Sequence, residues 1–198
     1  MWSRRAALAA AASLAAAGLV FAQSELPRID RFTATTTGMT PADIELRIDV
    51  REWSDEAGRS AVVAALAAES DVADALRELP TLGYVWRSDS GVGYAVKYAH
   101  RVATEQGERV TFVTDKRLGA YDFTPWAADG GTGDAELQYS VIELDLSEDG
   151  SGDGTLSLAA KVKLDRENHL VQLETAESTP RLLTDAQLEP QPYWAKGS

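Results

Sequence analysis

Five positions between Asp145 and Asp153 carry the spacing of a calcium loop. Asp145, Ser147, Asp149, Gly150 and Asp153 match positions 1, 3, 5, 6 and 9 of the twelve-residue template, in which oxygen ligands alternate around a glycine bend and suit a hard cation. The match is incomplete. Leu156 stands where the bidentate glutamate belongs, and Gly152 where an apolar anchor belongs. A hairpin tip rich in Asp and Gly accounts for the same residues without metal. A calcium site at Asp145, Ser147, Asp149 and Asp153, and a metal-free turn, are therefore the two readings of this stretch.

Other chemistries are short of groups. The chain has no cysteine and two histidines, His100 and His169, which excludes disulfides, thiolate zinc and a three-histidine zinc site. Ser88-Asp-Ser90-Gly91 lacks the G-x-S-x-G elbow, so Ser88 and Ser90 read as turn formers. Gly130 to Gly133 follows no strand–helix junction, which removes phosphate-loop and dinucleotide readings. Lys116-Arg117 is too short for an anion patch, and 31 acidic residues make chance carboxylate pairs uninformative.

Large rings remain. Tyr84, Trp86, Tyr94, Tyr98, Tyr121, Phe123 and Trp126, with His100 at a strand end, are the expected lining of a pocket for a small apolar ligand. Phe112 belongs to the same aromatic set, and the competing reading is that these rings fill the core.

The elements that must position these groups follow from periodicity. Phe32 to Thr37 is β-branched, and Asp43 to Trp53 alternates, with Ile44, Leu46, Ile48 and Val50 on one face and Glu45, Arg47, Asp49 and Arg51 on the other. The period then becomes helical over about 54–79. Ser54 is read as the cap of a first helix and Ser70 as that of a second, which Pro80 stops. Leu82 to Trp86, Val92 to Val102 and the run around Val110 and Phe112 form a meander. In it Tyr94, Val96, Tyr98 and His100 are expected to share one face. Lys116 to Asp134 reads as an irregular aromatic loop over one end of the core. Leu137 to Leu146, Thr155 to Leu164 and His169 to Thr175 supply further strands, and Arg181 to Leu183 a short last one. The fold class expected is mainly β (α+β), an antiparallel β-meander forming a curved sheet or barrel of about eight strands with a two-helix insertion; a two-sheet sandwich is the alternative.

The N-terminus has the form of an export signal. Arg4 and Arg5 precede an apolar run from Ala6 to Ala22, and Val20-Phe21-Ala22 places small residues before the cut. The expected organisation is a signal peptide at 1–22, one β-rich domain at 23–188 and a tail at 189–198, with a periplasmic or extracellular location and no membrane span after processing. The formal charge of −12 becomes two units more negative when Arg4 and Arg5 leave. Such a surface repels nucleic-acid backbones.

Glu52-Trp53, Gly83-Tyr84, Thr114 to Gly119, Ile142-Glu143-Leu144, Gly154 to Lys161 and Pro180-Arg181-Leu182 together resemble a group of uncharacterised exported bacterial proteins. The resemblance implies export and a single domain, and assigns no residue a role. The function expected is that of a non-enzymatic binding or accessory protein with an aromatic-lined pocket. The alternatives are a structural or interaction module contacting another envelope protein, and a hydrolase whose site the sequence does not locate. No cofactor other than calcium is suggested.

Overall fold

The computed structural model describes residues 28–40, 42–67, 72–121, 127–128, 139–158, 162–173 and 182–190. Among the described residues twelve strands and two helices follow in chain order: β1 (Asp30–Thr36), β2 (Met39–Thr40), β3 (Glu45–Val50), α1 (Glu56–Leu66), α2 (Val72–Glu78), β4 (Gly83–Arg87), β5 (Gly93–Thr104), β6 (Gly107–Thr114), β7 (Ala127–Ala128), β8 (Val141–Ser147), β9 (Ser151–Ser157), β10 (Val162–Asp165), β11 (Leu170–Leu173) and β12 (Leu183–Leu188). Eight of the strands close an antiparallel barrel in the order β1-β3-β4-β5-β6-β8-β9-β12, with β12 returning to β1. Closure leaves no free edge. The sandwich alternative is thereby replaced by the barrel.

Alternation decides what enters the lumen. Phe32 lies opposite Ile48, Ile48 opposite Val85, and Val85 opposite Tyr94, so one face of β1, β3, β4 and β5 turns inward together. Phe32, Ile48, Val85, Val96, Phe112, Ile142, Leu144 and Leu156 are all 0 % exposed. The Phe32 and Phe112 rings meet edge-on at 5.4 Å, and Trp53 joins them at 6.2 and 6.4 Å. The interior of a barrel this size is just wide enough to be filled by such side chains.

A second apolar layer lies outside the wall. Val62, Val63 and Leu66 of α1, Leu76 of α2 and Val171 of β11 pack with Tyr98, Val113, Tyr139 and Val141, the outward residues of β5, β6 and the start of β8. By contrast, the outward positions of β1 and β3 carry Arg31, Thr33, Thr35, Glu45, Arg47 and Asp49. That is a water-facing pattern, unlike the apolar band of a lipid-facing barrel. Among the described residues no helix is long and apolar enough to cross a membrane.

Several local expectations are corrected. Lys97 is an extra residue in β5: the pairing passes from Val96–Thr114 directly to Tyr98–Val113. This bulge turns Tyr98 and His100 outward while Tyr94 and Val96 face inward, so the four do not share a face. Asp55, not Ser54, caps α1, its carboxylate accepting from the Gly58 amide at 2.7 Å. Ser54 instead stitches to β5, donating its backbone N–H to Ala99 and accepting the Ala99 amide at its hydroxyl. The expected Ser70 cap lies outside the described residues. Thr155 to Leu164 is not one strand: β9 ends at Ser157, and β10 pairs with β11 in a separate hairpin. The last barrel strand is β12, longer than the short strand expected at Arg181 to Leu183. Asp185, at φ 52°, lies in a bulge where the register of β12 shifts against both neighbours, and this breaks the alternation that would have revealed the strand.

Candidate functional site

The expected aromatic lining is distributed over three places. Tyr84 and Trp86 are neighbours, with ring centroids 5.4 Å apart, on the outward face of β4. Tyr94 points into the lumen, where its hydroxyl accepts the Gly119 amide at 2.9 Å, and its ring lies 5.3 Å from that of the exposed Tyr121. Buried Leu118 shares that barrel end with Tyr94. Tyr98 and His100, 6.1 Å apart, lie on the outward face of β5, and Tyr98 belongs to the layer beneath the helices. Phe123 and Trp126 lie outside the described residues. The wall thus separates Tyr94 from the other described rings of β4 and β5.

Beneath the helical layer, His100 opposes Thr111, and Thr111 opposes Glu143, making a cross-strand row. Thr111 and Glu143 are buried, at 6 % and 7 % exposure. Burial, and secondarily the charge of Arg59, holds the His100 imidazole below its ordinary range. Burial also pushes the Tyr98 phenol up to about 12, and the hydroxyl accepts the Val171 amide at 3.4 Å. One strand, β6, separates His100 from Glu143. His169 sits at φ 53° in the β10–β11 turn.

The acidic stretch is a tight hairpin. β8 runs to Ser147 and β9 starts at Ser151; Gly150, at φ 82°, donates its amide to Ser147 across the turn at 2.9 Å. Asp149 accepts both the amide and the hydroxyl of Ser151, which holds its carboxyl below the usual range. Asp145 pairs across the ladder with Asp153 and accepts from Arg109 at 2.6 Å. Among the described residues no group of three or more His, Asp or Glu is placed to hold a metal ion. The same turn borders an open cleft of about 680 Å³ at one barrel end, lined also by Arg28, Asp30, Glu108, Leu188 and Glu189.

A further arrangement of aromatic and charged groups is one the spacing of aromatics did not single out. On the outward wall of β1, β3 and β4, register aligns Arg31 with Asp49 and Tyr84 in one row, and Thr33 with Arg47 and Trp86 in the next. The Arg47 guanidinium lies over the Trp86 ring at 4.5 Å, and that of Arg51 over Tyr84 at 5.6 Å. Arg31 grips Asp49 through two hydrogen bonds of 2.7 and 3.0 Å, which keep the guanidinium charged beyond its ordinary range. Arg47 Nε lies 3.9 Å from Asp49 Oδ2 and has no hydrogen-bond partner among the described residues. The alternation of 43–53 does show Arg47 and Arg51 facing outward, but β3 and β4 are separated in sequence by both helices, so their pairing with Tyr84 and Trp86 is a tertiary fact.

Comparison of the chain with protein-family models, curated proteins and solved structures returned no match.

Proposed function

We propose that this chain is an exported, non-enzymatic binding or accessory protein that meets its partner on the outside of the barrel. One observation carries the reading, the division of side chains across the wall. Inside, Phe32, Ile48, Phe112, Ile142 and Leu156 occupy the lumen at 0 % exposure, where a small apolar ligand would otherwise lie. Outside, partly exposed Trp86 and Tyr84 each sit under a guanidinium. Tryptophan, tyrosine and arginine are the residues enriched where binding energy concentrates. The arginine-led apolar leader at Arg4 to Ala22 supports export.

The helices are the weaker candidate for docking. Their apolar residues turn toward the wall, and the large apolar residues exposed among those described are Val92, Val102 and Tyr121, none of them on a helix.

Site-directed photocrosslinking in the producing cell tests the reading. A photoreactive phenylalanine replacing Thr33 or Thr35 on the outward wall should give an adduct of discrete mass; one replacing Glu105, in the β5–β6 turn, should not. Equal adducts from Glu105, or a small molecule retained one-to-one in native mass spectrometry, would overturn it.

A further inference from the structure

We draw no further inference here: the strongest candidate, the open acidic cleft at the barrel end between the β8–β9 turn and Asp30, Glu108 and Glu189, is a cluster of carboxylates of which Asp30 is already engaged by Trp53 and Arg101, Glu108 by Arg101 and Asp149 by Ser151, and nothing in the structure points to a ligand for it.

Discussion

Replacing Lys97 by methionine isolates the contribution of one buried ammonium to the seam between the barrel and α2. Lys97 is 7 % exposed and occupies the β5 bulge. Its Nζ donates to the Leu79 carbonyl at 2.7 Å, the Thr81 hydroxyl at 3.1 Å and the Arg77 carbonyl at 3.2 Å. These acceptors lie at and just beyond the end of α2, where helix carbonyls lack internal partners and a cation is favoured by the dipole. Methionine keeps most of the stem and removes the charge together with the three hydrogen bonds the ammonium donates. A hydrogen bond to a charged donor contributes about 1.5–3 kcal/mol, but relief of the buried ammonium's desolvation offsets part of the loss. A net destabilisation of about 2–3 kcal/mol is expected. At about 2–4 °C per kcal/mol for a domain of this size, Tm should fall by about 4–12 °C. Calorimetry reads the size of the effect, and hydrogen exchange reads its place: amides of α2 should exchange faster, while those of β8 and β9 change little. A Tm within about a degree of the parent, or faster exchange spread evenly over the barrel, would refute the clamp.

Gly152→Ala should be severely destabilising, because a Cβ there would come within 1.9 Å of the Asp145 carbonyl oxygen, whereas Gly91→Ala should be neutral because nothing lies within 4 Å; urea titration of both separates backbone crowding from loss of glycine as such. For His100, the folded imidazole is held below about 6.5, so the unfolded chain takes up a proton that the folded chain refuses. The contribution is fully present above pH 6.5 and is lost as pH falls through the window below it, with a slope of at most about 1.4 kcal/mol per pH unit from this one group. His100→Gln should flatten the pH dependence of the urea midpoint in that window, and an identical slope would remove the assignment. Millimolar calcium should leave Tm unchanged, since Asp149 is closed on Ser151 and Asp145 on Arg109; a rise in Tm reversed by chelator would restore the metal reading.

Where a local pattern was continuous, it was readable. Leu46, Ile48 and Val50 alternate through β3 and lie in the lumen as their spacing requires. Val62 and Leu66 recur at helical spacing and pack beneath α1. Where one residue interrupts the count, reading failed. Lys97 reverses every later face of β5, and Asp185 hides β12. Period two carries no memory across an insertion, so a single bulge exchanges inside for outside. The glycines of 150–154 show a related limit. Gly150 serves the turn, but Gly152 and Gly154 lie within β9, where Asp145 and Glu143 carbonyls approach too closely for a side chain.

The candidate surface divides along the same line. Sequence alone determined that the alternation of 43–53 sets Arg47 and Arg51 on one face, that β4 carries Tyr84 and Trp86 two residues apart, and that the acidic turn lacks the ligand a calcium loop needs, because each of these is a matter of spacing along one segment. Only the tertiary structure decided that Trp86 lies beside Arg47, that Tyr94 and Tyr98 face opposite sides of the wall, and that Phe32, Phe112 and Leu156 meet in one core inside it. Those outcomes depend on register between strands brought together across α1 and α2, and on a barrel closed by β12. Backbone pairing and volume filling settle them, and neither is a property of any one segment.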